Sequence, residues 1–214
     1  MIELFSDFDG TLTDKDTLAL LLDLYASSDW YAIEKKALDG EIDERQSLAD
    51  EMALITASDE VLLNTLMREV HPAEGTAELV ALARDRDWKM TVLSGGLIRF
   101  SRILWESWGY GGIPLFANDH GRDAEGRLTI IPAATPRLKD RCNHCKRWHL
   151  EKAKEHGATV VYIGDGLTDF CASEAADRVY AKDNLKEYLI RNGKDFIGFQ
   201  NLLEVTSHLI KNHS

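Results

Sequence analysis

Short apolar segments alternate with segments of helical periodicity from residue 76 to the end of the sequence. "KMTVLS" is followed by "GGLIRFSRILWESWG", and "TVVYIGDG" is followed by "TDFCASEAA". Strands that alternate with helices form parallel sheets whose faces are covered by the helices. The alternation therefore predicts an α/β chain with a doubly wound, Rossmann-like parallel sheet.

An all-helical block interrupts this alternation after a first strand at residues 2–6. Four segments of helical spacing follow that strand: "LALLLDLY", "WYAIEKKAL", "SLADEMALI" and "EVLLNTLMREV". The dipeptide His71-Pro72 then marks the end of a helix, because the residue before a proline avoids the helical conformation. We expect an α/β core domain from residues 1–12 and 76–214, and an inserted helical domain from residues 13–75.

Composition restricts the partners of such a chain. The formal net charge is −11 at pH 7, whereas nucleic acids and anionic membranes require a basic face. No apolar run reaches the roughly 18 residues of a membrane span, and the N-terminus lacks the pattern of a secretion signal. Three cysteines are too few for a disulfide framework. We expect a cytoplasmic protein that binds neither nucleic acid nor membrane.

Acidic residues follow the predicted strands at the points where the strands end. Ligands of doubly wound sheets bind at the carboxyl ends of the strands, so these residues should meet at one edge. Clustered carboxylates repel one another, and a set of oxygen ligands suits a hard cation such as Mg²⁺. The residues at this edge are Asp7 and Asp9 after the first strand, Ser94, Gly95 and Gly96 after the second, and Asp165 and Asp169 after a later one.

Each of these signals taken alone has a simpler explanation. Asp7 and Asp9 could form a turn, and Thr13 could cap a helix with Asp16 completing a capping box. "LSGG" could be an ordinary turn into a helix. "GDGLTD" imitates a dinucleotide-binding fingerprint, but Asp169 stands where the third glycine belongs and would repel a pyrophosphate. The combination of all the signals favours a catalytic site over these readings.

The combination of "DFDGT", "SGG", a later lysine and "GDGLTD" resembles the phosphatase branch of the haloacid dehalogenase superfamily. The resemblance covers the whole chain and includes a helical insert, the cap, directly after the first motif. It implies that Asp7 is the nucleophile that forms an aspartyl-phosphate and that Asp9 is the acid and base. It further implies a Mg²⁺ site and a set of phosphate contacts. The metal would be held by Asp7, the Asp9 carbonyl, Asp165 and Asp169; the phosphate would meet Thr11, Ser94 and the N–H groups of Gly95 and Gly96 at a helix start.

The lysine of this pattern is best assigned to Lys146. A helix that leads into a parallel strand begins at the sheet edge where the strands end, and Lys146 lies in the first turn of such a helix. Lys152 and Lys154 lie about 9 to 12 Å further along the axis, at about 1.5 Å per residue. Lys139 remains an alternative on the preceding loop.

The run "CNHCKRWH" also admits a zinc interpretation. Cys142, Cys145 and His149 would be the ligands, with His144 beside them. A structural zinc site usually draws on a second pair of ligands elsewhere in the chain, and only Cys171 and scattered histidines are available. Zinc is therefore the weaker reading, and any role of the cysteines stays open.

The insert resembles the cap of phosphoserine-phosphatase-like enzymes, which covers the active site. Asp16 matches a carboxylate that those enzymes place nine residues after the nucleophile. Glu51, however, falls about where they carry an arginine that grips the substrate carboxylate. The local sequence is more similar to the 2-hydroxy-3-keto-5-methylthiopentenyl-1-phosphate phosphatases of methionine salvage.

We therefore expect a Mg²⁺-dependent phosphomonoesterase of a small phosphorylated metabolite, with Asp16 and Glu51 facing the substrate. A phosphoserine phosphatase and a phosphotransferase would share the same motifs. A non-catalytic protein that binds a phosphometabolite is disfavoured by the intact nucleophile and acid. The oligomeric state is left open.

Overall fold

Seven strands form one central sheet in the computed structural model, which describes residues 1–136, 138 and 142–212. Their order across the sheet is β4-β3-β2-β1-β5-β6-β7. All neighbouring strands are parallel except β3 and β4, which form an antiparallel hairpin. The strands are β1 (Ile2–Ser6), β2 (Lys89–Leu97), β3 (Leu115–Arg122), β4 (Leu128–Ile131), β5 (Thr159–Gly164), β6 (Arg178–Ala181) and β7 (Ile197–Gly198).

Ten α-helices accompany the sheet in the described part of the chain. Four of them lie in the insert that separates β1 from the rest of the core: α1 (Thr17–Tyr25), α2 (Tyr31–Leu38), α3 (Glu44–Met52) and α4 (Asp59–Glu69). The other six are α5 (Thr76–Asp85), α6 (Ile98–Ser107), α7 (Lys146–Glu155), α8 (Phe170–Ser173), α9 (Asp183–Arg191) and α10 (Leu202–Asn212).

Alternate side chains of the central strand pack against different helical layers. Leu4 of β1 belongs to the large apolar cluster that includes Leu79 of α5 and Leu209 of α10. Phe5, the next residue, packs in a second cluster with Leu150 of α7. Successive side chains of a strand point to opposite faces, so helices cover both faces of this sheet. The predicted doubly wound α/β fold is confirmed.

The chain enters and leaves the insert through two adjacent segments. Thr13 and Pro72 form an antiparallel bridge, and the Asp14 N–H donates to the His71 carbonyl at 2.9 Å. The Asp14 carboxylate accepts a second bond from the His71 N–H at 2.8 Å. The insert is thus connected to the core by a two-stranded stem.

Most predicted elements are present, with differences at their ends. The helix predicted from Gly95 begins at Ile98, because β2 continues to Leu97. The two-residue strand β7 was missed, since so short a segment carries no periodicity. In the part of the chain that the structure describes, no helix combines the length and the apolar character needed to cross a bilayer.

Candidate active site

The ends of three neighbouring strands bring the predicted catalytic residues together. β1 lies between β2 and β5, and Asp7 follows β1 directly. The Asp7 N–H donates to the Ile163 carbonyl of β5 at 2.8 Å, which extends the sheet to the nucleophile candidate. Ser94 lies near the end of β2, and Asp165 follows β5. The order of the strands therefore places these side chains at one edge.

Three carboxylates meet at this edge. Asp7, Asp165 and Asp169 each offer an oxygen, and the three oxygens lie within 4.8 Å of one another. Burial, together with the neighbouring carboxylates, raises the pKa of Asp7 well above its usual range, although Lys146 opposes the shift. Burial and the Asp169 charge raise the pKa of Asp165 to about 7. A set of crowded oxygen ligands fits a hard divalent cation, which would relieve the repulsion.

Lys146 connects two of these carboxylates. It is the first residue of α7, as predicted, and is only 2% exposed. Its Nζ donates to Asp7 Oδ1 and, at 2.6 Å, to Asp169 Oδ1. Burial alone would lower the pKa of Lys146, but the Asp169 and Asp7 charges outweigh burial and raise it, so the amine stays charged.

The other candidate lysines lie elsewhere. Lys152 pairs with Glu155 at 2.6 Å, and Lys154 pairs with Asp177 at 2.6 Å, both on exposed parts of the surface. Lys139 lies outside the described residues.

Asp169 has both carboxylate oxygens engaged within the protein. Oδ1 accepts from Lys146 and, at 2.5 Å, from the Tyr162 hydroxyl. Oδ2 accepts from the N–H groups of Asp165 and Gly166 at 2.9 and 3.0 Å. A carboxylate offers about four lone-pair positions, and these contacts use them. The arrangement favours a supporting role, in which Asp169 fixes Lys146 and the loop that carries Asp165.

Asp9 is oriented by two hydroxyl groups. The Ser94 Oγ donates to Asp9 Oδ2 at 2.6 Å, and the Thr17 Oγ1 donates to Oδ1. Thr17 is the first residue of α1, so the insert contributes directly to the site. The carboxyl group lies at the edge of the cavity beside Asp7.

The turn after Asp9 fits closely against Asp165. Gly10 has a φ of +76°, and a Cβ on it would lie 2.6 Å from Asp165 Oδ2. Any side chain at this position would therefore be strained by its backbone and would collide with the carboxylate. The Thr11 hydroxyl donates to Asp165 Oδ1 at 2.8 Å. Thr11 was predicted to contact the phosphate, and in the structure its hydroxyl instead contacts a carboxylate of the site.

The prediction that Gly95 and Gly96 open a helix is wrong. Both glycines belong to β2, because the strand runs three residues beyond Ser94. The Gly96 N–H donates to the Ser94 Oγ at 2.8 Å and so fixes that hydroxyl. Both glycines still line the cavity, so they remain beside the site without the help of a helix N-terminus.

A cavity of about 200 Å³ separates the insert from this edge of the sheet. Asp16 and Glu51, the two predicted substrate contacts, both line it. Asp16 is also the N-cap of α1, where its side chain accepts a hydrogen bond from the Ala19 N–H at 2.8 Å. Asp16, and not Thr13, therefore caps this helix. Among the described residues that line the cavity, none is a lysine or an arginine.

Glu51 lies on the buried face of α3. Its side chain accepts from the Ser47 hydroxyl at 2.8 Å, and the residue is 8% exposed. Burial raises the pKa of Glu51 to about 7. Beside it, Leu22, Trp30 and Leu48 form an apolar wall. The cavity therefore combines carboxyl groups with apolar surface.

Sequence reasoning missed three residues of the site. Thr17 and Tyr162 orient Asp9 and Asp169 through hydroxyl groups, and no local motif marks either one. Glu44, at the start of α3, accepts a hydrogen bond from the Asn143 N–H, and burial raises its pKa to about 8. The hydrogen bond between Glu44 and Asn143 joins the insert to the segment before Lys146. Only the alternating pattern of β5, in which Tyr162 and Gly164 share a face, could have indicated Tyr162.

The zinc interpretation of "CNHCKRWH" is not supported. The acidic trio is the one group of possible metal ligands found among the described residues. None of the three cysteines is in a disulfide.

In doubly wound α/β sheets ligands bind at the carboxyl edge of the strands, and here that edge holds a carboxylate centre with a buried lysine. Residues 4–174 match the family model of the haloacid dehalogenase-like hydrolases, and the chain belongs to this family. The predicted family and enzyme class are thereby confirmed.

Proteins that are similar to this chain in sequence are named as phosphatases. The chain is 26% identical over 188 residues to a 2-hydroxy-3-keto-5-methylthiopentenyl-1-phosphate phosphatase of Brevibacillus brevis, over 86% of this chain and 84% of the relative. It is 28% identical over 213 residues to the protein of the same name from Geobacillus kaustophilus, over 96% of this chain and 94% of the relative.

Solved structures support the fold. A phosphoserine phosphatase with a phospho-aspartyl intermediate analogue superposes with a TM-score of 0.71 at 22% identity, over 99% of each chain. The phosphoserine phosphatase from T. onnurineus superposes with a TM-score of 0.73 at 23% identity, over 100% of this chain and 96% of that one. At such identities the likeness concerns the fold.

Proposed function

We propose that this chain is a Mg²⁺-dependent phosphomonoesterase that works through an aspartyl-phosphate on Asp7. The observation that carries the proposal is the placement of Asp7 between a charged Lys146 and the carboxylates of Asp165 and Asp169. A nucleophilic carboxylate beside a cation, at a site that can also hold a metal, suits phosphoryl transfer through a covalent aspartyl-phosphate.

The reaction proceeds in two halves. An Asp7 oxygen attacks phosphorus and the bond from phosphorus to the ester oxygen breaks, while Asp9 gives its proton to the departing alcohol. Asp9 then takes a proton from water as that water attacks phosphorus, which releases inorganic phosphate and frees Asp7. Ser94 and Thr17 hold Asp9 in place through both halves. Lys146 stabilises negative charge on Asp7 and on the transferred phosphoryl group.

The metal would be held by Asp7 and Asp165, with the Asp9 carbonyl as a further ligand and Asp169 in support. When bound, Mg²⁺ supplies positive charge that screens the phosphate oxygens from the carboxylates. The side chains of this chain fit that ion, since they offer only oxygen ligands.

The helical insert, residues 13–75, acts as a cap over the core formed by residues 1–12 and 76–214. The two-stranded stem at Thr13 and Pro72 is the natural hinge, because it is the place where the insert joins the core. The cavity between insert and sheet supports this division, as does the contact of Thr17 with Asp9. Closure would exclude bulk water from the phosphoryl group.

The substrate is a small phosphorylated metabolite, with the methionine-salvage ester named in the Brevibacillus and Geobacillus relatives as the first candidate. Leu22, Trp30 and Leu48 suit an apolar tail, and the carboxyl groups of Asp16 and Glu51 suit hydroxyl groups. Phosphoserine is disfavoured because its carboxylate would face Glu51 with no lysine or arginine among the described lining residues.

Phosphate release from p-nitrophenyl phosphate, measured with Mg²⁺ and with EDTA, tests the activity. We expect activity that depends on Mg²⁺ and that Asp7→Asn abolishes. A panel of phosphorylated metabolites, including the methionine-salvage ester and phosphoserine, then tests the substrate. Equal rates in EDTA, or full activity of Asp7→Asn, would refute the proposal. Transfer of phosphate to an added alcohol in preference to water would identify a phosphotransferase.

A further inference from the structure

Two buried histidines connect α7 with the end of β2. His144 Nδ1 lies 2.8 Å from the Ser94 carbonyl oxygen, and His144 Nε2 lies 3.1 Å from His149 Nε2. The two residues are 2% and 9% exposed. Neither contact belongs to the set of carboxylates and hydroxyls described above, so the histidines need an explanation of their own.

The chemistry of these contacts assigns the protons. A carbonyl oxygen can only accept, so His144 Nδ1 carries a proton and donates it to Ser94. In a neutral imidazole the other nitrogen is then an acceptor, so His149 Nε2–H donates to His144 Nε2. Burial lowers the pKa of His144 to about 3 and that of His149 to about 4, so both rings are neutral at physiological pH. The two bonds form a relay of fixed direction from His149 to Ser94.

The Ser94 carbonyl needs this partner because it lies at a break in the sheet. The register of β2 with β1 ends at Ser6 and Val92. The register of β2 with β3 shifts between Leu93 and Leu97. Ser94 is fully buried, and a buried carbonyl without a hydrogen bond is costly. His144 supplies a donor to this carbonyl at the point where the register of the sheet is irregular.

The same residue carries the hydroxyl that orients Asp9. The Ser94 Oγ donates to Asp9 Oδ2 and accepts from the Gly96 N–H. The peptide after Ser94 carries the Ser94 carbonyl and leads into Gly95 and Gly96, so a rotation of that peptide would change the position of the Gly96 N–H that fixes the hydroxyl. The position of the carbonyl is therefore coupled to the geometry of the acid.

We propose that His144 and His149 are positioning residues that fix Ser94, and through its hydroxyl Asp9, by a relay of two hydrogen bonds. The inference rests on the proposed function, in which Asp9 is the acid and base. It assigns the histidines of "CNHCKRWH" to the geometry of phosphoryl transfer, in place of zinc binding. Mutual bonding of the two Nε2 atoms leaves neither one available as a metal ligand.

Substitution at His149 tests the relay without touching Ser94 or Asp9. His149→Leu removes the donor and lets His144 change its tautomer, whereas His149→Gln keeps an N–H at a similar reach. With an alkyl phosphate, whose departing alcohol needs the proton of Asp9, and saturating Mg²⁺, we expect kcat of His149→Leu to fall roughly tenfold, about 1.4 kcal/mol in the barrier, with KM changed less than twofold. His149→Gln should recover most of the loss.

His156→Leu is the matched control. His156 lies at the end of the same helix, is exposed, and places its Nδ1 2.7 Å from the Lys152 carbonyl, far along the helix from Ser94. Its removal should leave kcat unchanged. Thermal unfolding of each variant shows whether the fold is retained, and rescue by glutamine separates a lost hydrogen bond from lost packing.

Nitrogen-15 NMR of the imidazole rings gives a readout that does not need turnover. The wild-type spectrum should show His144 as the Nδ1–H tautomer, and His149→Leu should show a mixture. Wild-type kcat in His149→Leu, equal losses in the leucine and glutamine variants, or an Nε2–H tautomer of His144 would each overturn the inference. An inactive wild-type protein would refute the proposed function instead, and the tautomer would still report on the relay.

Discussion

Asp9 receives hydrogen bonds from hydroxyl groups that come from two different parts of the chain. Ser94 belongs to the core sheet, whereas Thr17 begins the first helix of the insert. Asp9 itself follows β1, two residues after Asp7, the proposed nucleophile. The proposed acid therefore has both of its hydroxyl partners only when the insert and the core are both in place. This arrangement would couple closure of the insert to proton transfer.

Substitution of Asp9 should affect substrates according to their leaving groups. An alkyl alcohol needs a proton as it departs, whereas p-nitrophenolate departs without one. For Asp9→Asn we expect kcat to fall by roughly 10²- to 10⁴-fold with an alkyl phosphate, and by much less in the first half-reaction of p-nitrophenyl phosphate. Burst kinetics with the aryl ester would resolve that first step.

Thr17→Val is the companion variant, and it should show a smaller loss of kcat with the same dependence on the leaving group. Equal losses with both esters would contradict the role of Asp9 as the acid.

Glu51 should make the stability of the protein depend on pH. Burial raises the pKa of Glu51 to about 7 from an ordinary value of 4.5, so the folded state binds the proton more tightly than the unfolded chain. The contribution of this group to stability therefore falls as pH rises from 4.5 to about 7. Glu51→Gln should be more stable than wild type at pH 8.5 and equally stable near pH 4. The difference at pH 8.5 should reach up to about 3 kcal/mol, because a pKa difference of one unit corresponds to about 1.36 kcal/mol. Urea denaturation at both pH values measures the difference.

Glu60→Gln is the control for that experiment, because Glu60 is an exposed glutamate of the same insert. It should change stability little at either pH. If the difference in stability between Glu51→Gln and wild type grew toward acid pH, the pKa of Glu51 would be lowered in the folded state and not raised.

The hairpin of β3 and β4 also attaches the insert to the core, in addition to the stem and the contacts at the site. The hairpin of β3 and β4 reaches the turn between α3 and α4, where Leu128 N–H donates to the Ile55 carbonyl at 2.9 Å. Arg122 of β3 donates to the Ala57 carbonyl and to the Asp59 carboxylate, each at 2.6 Å. The hairpin thus holds the insert over the edge of the sheet where the carboxylates meet.

Loss of Arg122 should loosen the insert without unfolding the core. For Arg122→Ala we expect faster amide hydrogen exchange at residues 53–59 and a KM raised roughly threefold to tenfold, the equivalent of about 0.7 to 1.4 kcal/mol. Exchange within β1 and β5 should not change. Arg127→Ala is the matched control, since Arg127 is on the same hairpin and bonds only Asp123 and Glu125 within it in the described structure. Equal effects of the two substitutions would show that the hairpin contact does not hold the insert.

Comparison of the sequence with the fold separates features that follow from local pattern from features that depend on packing. Alternation of helix and strand predicted the sheet, and the direction of the helix placed Lys146 at the site, because both follow from local pattern and chain direction. Thr17 could not be predicted, since its hydroxyl group acts through a contact that depends on packing. The alternation of β5 could have indicated the face on which Tyr162 lies, but not its hydrogen bond to Asp169. The start of α6 was placed three residues early, because glycines that end an irregular strand resemble those that precede a helix. Local pattern fixes elements, whereas hydrogen-bond partners are set by the folded arrangement.

Concentrated negative charge should make the stability of the whole molecule depend on Mg²⁺. The chain carries a net charge of −11, and three of its carboxylates meet at one buried edge of the sheet. Repulsion among them opposes folding when no cation is bound, and a cation that binds only the folded state opposes unfolding. The same charges are thus a cost without the ion and a source of stability with it.

Asp165→Asn should separate these two effects. Removal of one charge relieves the repulsion, so the variant without Mg²⁺ should melt at a higher temperature than wild type under the same conditions. Wild type should gain about 2.7 kcal/mol at a Mg²⁺ concentration of 100 times its Kd, roughly 5 to 10 °C in Tm, whereas the variant should gain far less. Asp195→Asn, at an exposed position before β7, is the control and should respond to Mg²⁺ like wild type. Calorimetry of the three proteins in EDTA and in Mg²⁺ measures both effects. An equal response to Mg²⁺ in all three would exclude Asp165 as a ligand, because a lost ligand must weaken the linkage between metal binding and folding.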